Sequence, residues 1–267
     1  MENPKIFNRW KYEIENCEPN SLLDCFREVE ISVSSVCNLK CPFCPHSKGY
    51  SRKPEFMSVN TAEEIARQLK SFNYQGFICF GGHGEPSLNP NLEEIVNILK
   101  DFKPQLITNG INLNREVWER LDKIAQIKVS VHDWNNVSFF KEKFKNTKAW
   151  FRNHDAKNPE LNLFNRGGYL GKPPVKIERI CHLPWYWIFI DCDGKYLECA
   201  NDWEHTTESE RSIFNTNIKD FYLEVLEPIR EKMDAEGKRQ NIKCCQNCDI
   251  EGTLIGEKFV EFWRKQK

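Results

Sequence analysis

Residues 29–45 read VEISVSSVCNLKCPFCP, a strand-like run that leads directly into three cysteines. Apolar and polar residues alternate up to Val33, which predicts a half-buried β-strand. Cys37, Cys41 and Cys44 then follow with C-x3-C-x2-C spacing. Three thiolates can hold three irons of a [4Fe–4S] cube and leave the fourth iron open for a ligand. A zinc knuckle is the alternative, but three clustered cysteines at the end of a strand favour iron–sulfur.

The composition indicates metal or redox use of cysteine. The chain of 267 residues contains 12 cysteines, and its N-terminus lacks the apolar core of a secretory signal, so we expect a cytoplasmic protein without disulfides. With 38 basic and 39 acidic residues the formal net charge is −1, which gives no general reason to expect nucleic acid or an anionic membrane as a partner. No apolar run approaches the ~20 residues that a membrane-spanning helix needs.

Alternating strand and helix patterns predict an α/β fold for residues 29–175, after an N-terminal extension of residues 1–28. The predicted strands cover residues 29–33, 77–80, 105–108, 127–131 and 161–164. The predicted helices begin near Thr61 and Glu64, which have capping-box spacing, at Pro90, near residue 117 and near residue 140, the last continuing to about Trp150. Right-handed crossovers would curve these units into a partial, truncated barrel with functional loops at the carboxyl ends of its strands.

Residues 176–267 follow a different pattern, which predicts a small C-terminal domain packed on the barrel. Residues 185–191 and 195–199 are typical of a hairpin joined across Asp193-Gly194. Helices are predicted near residues 221–233 and, at the surface, 259–263.

This C-terminal region contains a second group of cysteines. Cys181, Cys199, Cys245 and Cys248 could meet at one end of the hairpin and offer four thiolates to a second cluster. Cys244 competes with Cys245 for the third of these positions, and the x2 spacing favours Cys245. A four-cysteine zinc ribbon is the competing interpretation.

The N-terminal cysteine segment resembles the radical S-adenosylmethionine (SAM) superfamily, whose signature has this spacing with an aromatic residue before the last cysteine. Gly84-Glu85-Pro86 is similar to the loop that binds the methionyl amine of SAM in that superfamily, although His83 stands where a glycine is often seen. Thr108-Asn109-Gly110 and the Ser130 to His132 strand end also follow the superfamily order. The resemblance assigns the cofactor-binding residues to Phe43, Gly84, Glu85, Pro86, Asn109, Ser130 and His132.

The same resemblance implies two [4Fe–4S] clusters and SAM as cofactors, with a flavodoxin- or ferredoxin-type electron donor. The open iron would chelate SAM, and its reductive cleavage would yield a 5′-deoxyadenosyl radical that removes a substrate hydrogen atom. The C-terminal cysteines resemble the SPASM/twitch extension in its shorter form, which has one auxiliary cluster. Complete ligation by four cysteines would make that cluster an electron relay.

Within this group, Asn165-Arg166-Gly167-Gly168 and the segment from Cys181 to Asp202 are similar to aminocyclitol alcohol dehydrogenases. The similarity implies that Arg166 contacts the reacting hydroxyl, as a positioning or catalytic residue, and that Asn201 contacts the substrate. Asn201 replaces an acidic residue there, and Ile107 replaces a tyrosine. The implied reaction is oxidation of a secondary alcohol of a small sugar or cyclitol-like substrate to a ketone, with the auxiliary cluster accepting the electron.

Three alternatives remain open on the sequence. A radical epimerase would need a thiol to return hydrogen, and Cys192 or Cys79 could supply it. Modification of a ribosomal peptide ranks lower, because only about 28 residues precede the predicted barrel. A zinc-binding interaction module without catalytic activity is the alternative from a different class.

Overall fold

The computed structural model describes residues 13–50, 52–161, 164–171, 177–207, 210–250 and 255–267. Its strands are β1 (Glu28–Ile31), β2 (Phe77–Phe80), β3 (Gln105–Thr108), β4 (Gln126–Val131), β5 (Trp150–Asn153), β6 (Trp187–Ile190) and β7 (Tyr196–Leu197). Its α-helices are α1 (Leu22–Cys25), α2 (Val59–Ser71), α3 (Leu92–Ile98), α4 (Arg115–Leu121), α5 (Val137–Lys143), α6 (Ile218–Asp220), α7 (Glu227–Asp234) and α8 (Glu257–Arg264). A π-helical segment spans Phe221–Val225, and short 3-10 helices include Pro45–Lys48 and Pro86–Leu88.

The strands form one sheet in the order β5-β4-β3-β2-β1-β6-β7. Neighbours from β5 to β6 pair in parallel, and only β7 runs antiparallel to its neighbour. Helices α2 to α5 connect the parallel strands. The predicted α/β class is therefore confirmed. No helix among the described residues is long and apolar enough to cross a membrane.

The two faces of the sheet differ in chemistry. On β1, Val29 and Ile31 are fully buried in the hydrophobic core, together with Ile65 and Leu69 of α2. Side chains alternate along a strand, so Glu30 faces the opposite side. The pairing register gives the residues that share the Glu30 face, here called the lumen face: Glu28, Glu30, Phe77, Cys79, Gln105, Ile107, Gln126, Lys128, Ser130, Trp150, Arg152, Trp187 and Phe189.

The predicted strand at residues 161–164 is wrong. The fifth strand is β5, which pairs with β4 so that Ser130 lies opposite Arg152. Leu161 and Phe164 are not in a strand, and residues 162–163 lie outside the described part of the chain. The spacing of Phe140, Phe144 and Trp150 predicts a helix, yet α5 ends at Lys143 and the aromatic pair at 150–151 suits a pleated strand better.

The first crossover helix also begins earlier than predicted. Ser58 is the N-cap of α2, and its hydroxyl accepts a hydrogen bond from the Thr61 backbone N–H at 3.1 Å. Thr61 and Glu64 therefore lie inside the helix. The helix therefore starts one turn earlier than the predicted capping box, at a residue that the sequence analysis above did not consider.

The predicted hairpin is confirmed as β6 and β7, with Gly194 at φ +81° in the turn. Its pairing with the barrel was not predicted. Glu30 of β1 lies in register with Phe189 of β6, so the sheet continues across the predicted domain boundary at residues 175 and 176. The predicted C-terminal helix is α8, which buries Phe259, Val260 and Trp263.

Candidate active site

The three N-terminal cysteines lie together in the loop after β1. A turn closes the loop, in which the Cys44 backbone N–H donates to the Cys41 carbonyl at 2.9 Å. The Leu39 backbone N–H points at the Cys37 sulfur, 3.4 Å away. Burial, with the neighbouring Cys44 and Cys37 thiols, raises the pKa of Cys41 to about 12. The three thiols are therefore close enough to interact electrostatically.

Aromatic rings cover this loop from the carboxyl end of β4. Phe43 contacts both His132 and His154, with ring centroids 6.1 and 4.9 Å away, and the two histidine rings are themselves 5.1 Å apart. The Cys41 sulfur lies 3.2 Å from His132 Nδ1. Burial lowers the pKa of His132 to about 4, which keeps the imidazole neutral at physiological pH.

Glu85 fixes the loop after β2 to the end of β3. Its carboxylate accepts hydrogen bonds from the Thr108 hydroxyl at 2.5 Å, the Asn109 backbone N–H at 2.8 Å and the Ser87 backbone N–H at 3.0 Å. The loop also packs tightly on the cysteine segment, since a Cβ on Gly84 would lie 2.1 Å from the Ser34 carbonyl oxygen. The carboxylate of Glu85 is therefore a positioning group that holds the loop carbonyls in place.

Arg152 is a site residue that the sequence analysis missed. Its Nε donates to the Ser130 hydroxyl at 2.8 Å, on the lumen face beside the predicted SAM residues. Burial, reinforced by the nearby Arg166, lowers the pKa of Arg152 to about 10, so the guanidinium stays charged at neutral pH. Arg152 could be identified only with β5 in its correct place, because the pairing of β5 with β4 shows which residue lies opposite Ser130.

Glu30 is the second missed residue. It lies half-buried on β1, accepts a hydrogen bond from the Gly82 backbone N–H at 3.0 Å and interacts electrostatically with Arg166. Burial raises the pKa of Glu30 to about 7. A carboxyl group with this pKa can take up or release a proton near neutral pH. An acidic residue between two buried apolar residues of a central strand was the available signal in the sequence.

The Arg166 loop joins the barrel to the C-terminal cysteines. Arg166 and Gly167 adopt left-handed conformations, with φ +53° and φ +66°. A Cβ on Gly167 would lie 2.4 Å from the Asn201 carbonyl oxygen, so the close approach requires glycine. Arg166, Asn201 and Cys244 line one cavity of about 160 Å³. The structure therefore brings the two predicted substrate residues together.

The C-terminal cysteines also converge. Cys181, Cys245 and Cys248 are close enough to Cys199 to raise its pKa, although burial is the largest cause. The Asn201 backbone N–H points at the Cys199 sulfur, 3.4 Å away. Cys244 and Cys245 lie side by side, with sulfurs 3.8 Å apart, and both are near Cys199. The choice between Cys244 and Cys245 therefore stays a prediction.

The two candidate hydrogen-donor cysteines differ in position. Cys79 is on the lumen face, and Glu30, Lys128 and Arg152 all influence its pKa electrostatically. Cys192 follows Asp191 after the end of β6, and its sulfur lies 4.0 Å from Glu55. Of the two, Cys79 is the one that the strand register places on the lumen face.

Comparison with known proteins finds related sequences. Residues 31–156 match the family model described as the radical SAM superfamily. The chain is 26% identical over 246 residues to an S-adenosyl-L-methionine-dependent 2-deoxy-scyllo-inosamine dehydrogenase from Niallia circulans, covering 88% of this chain and 97% of that protein. A GTP 3′,8-cyclase from Mannheimia succiniciproducens is 30% identical over 139 residues, but these are 48% of this chain and 40% of the cyclase.

Solved structures show the same fold. The crystal structure of BtrN in complex with AdoMet and 2-DOIA superposes with a TM-score of 0.71 at 24% identity, covering 87% of this chain and 96% of BtrN. The structure of anSMEcpe with bound AdoMet gives a TM-score of 0.57 at 14% identity, covering 90% of this chain and 97% of that one. Both the predicted superfamily and the predicted resemblance to an aminocyclitol dehydrogenase are confirmed. Residues 31–156 are therefore a radical SAM domain.

Proposed function

We propose that this enzyme oxidises a secondary alcohol of a small cyclitol or sugar-like molecule to a ketone. The observation that carries the proposal is that Arg166 has a buried Nε without a hydrogen-bond partner among the described residues and interacts electrostatically with Glu30, so that the two residues could offer a cation and a proton acceptor to one hydroxyl. The relative from Niallia circulans, whose name specifies a 2-deoxy-scyllo-inosamine dehydrogenase, aligns over nearly its whole length.

The two cysteine groups fit [4Fe–4S] clusters in their donor chemistry. Cys37, Cys41 and Cys44 would hold the first cluster, and Cys181, Cys199, Cys245 and Cys248 the second. In each group a backbone N–H is directed at a sulfur, from Leu39 and from Asn201, and such contacts tune iron–sulfur clusters. When bound, SAM and the first cluster supply the 5′-deoxyadenosyl radical that removes the carbinol hydrogen atom, and the second cluster takes up the remaining electron.

The loops that would bind SAM are held in place by hydrogen bonds. Glu85 fixes the Gly84 to Pro86 loop, whose backbone carbonyls would accept from the methionyl amine. Ser130 and Arg152 would hold the SAM carboxylate, because a guanidinium fork matches carboxylate geometry. Phe43, Asn109 and His132 would contact the rest of the cofactor.

The substrate hydroxyl must lose a proton as it becomes a carbonyl. Arg166 would position the hydroxyl oxygen, and Glu30 would accept its proton, since the pKa of Glu30 is about 7. Asn201 would contact the substrate from the same cavity as Arg166. A flavodoxin- or ferredoxin-type donor would reduce the first cluster, and the free thiols of the described cysteines suit a reducing compartment such as the cytoplasm.

Anaerobic reconstitution followed by turnover tests this proposal. The enzyme should contain about eight irons with matching sulfide, and with reductant and aminocyclitols such as 2-deoxy-scyllo-inosamine it should form 5′-deoxyadenosine and ketone in equal amounts. A colourless zinc protein, or 5′-deoxyadenosine formed without ketone from any cyclitol or sugar alcohol offered, would contradict it.

The placement of Cys79 favours one second candidate, a radical epimerase. A thiol on the lumen face could return a hydrogen atom to the opposite face of the substrate carbon. In deuterated water an epimerase would yield a product of unchanged oxidation state that carries solvent deuterium at the inverted carbon. Cys79→Ala would abolish that exchange, whereas it would leave ketone formation by a dehydrogenase in place.

A further inference from the structure

A third group of ligating side chains lies outside both cysteine groups. The ligand atoms of His83, Asp191 and His205 all lie within 4.8 Å of one another. His83 follows β2, Asp191 follows β6 and His205 follows β7, so the folded sheet brings together residues that are far apart in sequence.

We propose that His83, Asp191 and His205 bind one divalent transition-metal ion. Two imidazoles and one carboxylate are donors that Zn²⁺, Fe²⁺ and Co²⁺ accept, and three protein donors leave coordination positions open for a small ligand. The site does not depend on the proposed alcohol oxidation, because none of its residues is assigned to either cluster or to SAM.

His83 has the hydrogen bonding of a metal ligand. Its Nε2 lies 2.7 Å from the Ala200 carbonyl oxygen, which can only accept, so Nε2 carries the ring proton and Nδ1 presents a lone pair. Nδ1 is buried and has no hydrogen-bond partner among the described residues. Metal-binding histidines donate their other ring N–H to a carbonyl or carboxylate in this manner. Burial lowers the pKa of His83 to about 4, which preserves the neutral ring.

The other two residues are also held in place. Asp191 is 1% exposed, and its Oδ1 accepts from the Cys192 backbone N–H at 2.8 Å. The Tyr50 hydroxyl lies 3.1 Å from His205 Nε2. Trp203 packs on the His83 ring with centroids 4.2 Å apart. These contacts orient the donors in a sheltered place, as outer-shell groups do around metal ligands.

Arg52 is the group that opposes a cation here. Its guanidinium contacts the Asp191 carboxylate and lies 3.7 Å from Asp193. A bound divalent ion would be repelled by this positive charge. Removal of Arg52 should therefore tighten metal binding. The opposite outcome, no gain of metal, would mean that the Asp191 carboxylate serves only to pair with Arg52.

Cobalt retention by the iron-loaded enzyme tests the site. The holoenzyme is incubated anaerobically with Co²⁺ and desalted, and cobalt and iron are counted together, so that cobalt held without loss of iron lies outside the clusters. We expect about one cobalt per chain, and at least about tenfold weaker retention in Asp191→Asn and His205→Gln, since even outer-shell changes cost that much. Glu93→Gln, which removes an exposed carboxylate paired with Arg120 and outside this site, should bind like the wild type.

Arg52→Met tests the site without changing a proposed ligand, and we expect it to bind cobalt more tightly than the wild type. Unchanged iron content in every variant shows that the fold and the clusters are intact. Equal cobalt in the wild type and both ligand variants, no cobalt in the wild type, or weaker binding in Arg52→Met would overturn the proposal. None of these results bears on alcohol oxidation, which is measured separately as ketone.

Discussion

Arg152 donates a hydrogen bond from Nε to the Ser130 hydroxyl, 2.8 Å away, and so links the edge strand β5 to β4. Ser130 is a predicted SAM contact, and the bond aims a permanent positive charge at the same part of the lumen. An arginine fork matches the geometry of a carboxylate, and SAM carries one.

We therefore expect Arg152→Met to weaken SAM binding by about 10- to 100-fold, corresponding to loss of a charge-assisted hydrogen bond of about 1.5–3 kcal/mol. Equilibrium binding of SAM to the oxidised, cluster-loaded protein measures this without turnover. Arg152→Lys should restore part of the affinity, because it keeps the charge but loses the fork. Arg115→Met, at an exposed pair with Glu142, is the matched control and should bind SAM normally. Normal SAM affinity in Arg152→Met would remove Arg152 from the cofactor site.

The raised pKa of Glu30 leads to a prediction of how the rate of ketone formation depends on pH. Because burial raises its pKa to about 7, the proton-accepting carboxylate is formed as pH rises through 7, so ketone formation should increase to a plateau above that pH. Glu30→Gln should lower the rate by about 10²- to 10⁴-fold and abolish this step. Steady-state ketone formation against pH measures both. SAM affinity serves as the control, and a variant that keeps the pH step would assign it to another group.

The same carboxyl group should affect stability. The folded pKa of Glu30 lies above its ordinary value of 4.5, so the folded state holds a proton that the unfolded chain releases. The free energy of unfolding should therefore fall as pH rises from about 4.5 to about 7. Denaturant unfolding of wild type and Glu30→Gln would show this as a difference in slope over that range.

Several parts of this architecture could be read from local sequence. The alternation of strands and helices predicted the parallel sheet, and the C-x3-C-x2-C spacing predicted the first thiol group, because each pattern depends on residues close together in the chain. The second group extends from Cys181 to Cys248, and its assignment depended on the resemblance to a family. Arg152 was not predicted as a site residue because Trp150 suits an amphipathic helix as well as a strand. The choice between the two depends on pairing with β4. The pairing of Glu30 with Phe189, and the meeting of His83 with His205, are contacts distant in sequence that no local pattern encodes.

Cys245 rather than Cys244 is predicted to complete the second cluster. Cys245→Ala should lower the iron content from about eight to about four per chain, because a cube held by three thiolates at a site built for four is labile. Cys244→Ala should keep all of its iron. Iron and sulfide analysis after anaerobic reconstitution distinguishes the two, and the reverse pattern would assign the ligand to Cys244, whose thiol also lies near Cys199.

The tight packing of Gly167 leads to a prediction about the coupling between SAM cleavage and oxidation of the substrate alcohol. A side chain at φ +66° is strained, and its Cβ would meet the Asn201 carbonyl oxygen at 2.4 Å, so Gly167→Ala must displace the loop that carries Arg166. We expect SAM cleavage to continue while ketone per 5′-deoxyadenosine falls about tenfold or more, since misplacing a substrate-positioning group is costly. Gly171→Ala is the matched control, because Gly171 also has positive φ, at +123°, but a Cβ there meets nothing within 4 Å. Equal coupling in both variants would show that the position of Arg166 does not govern the reaction of the substrate hydroxyl.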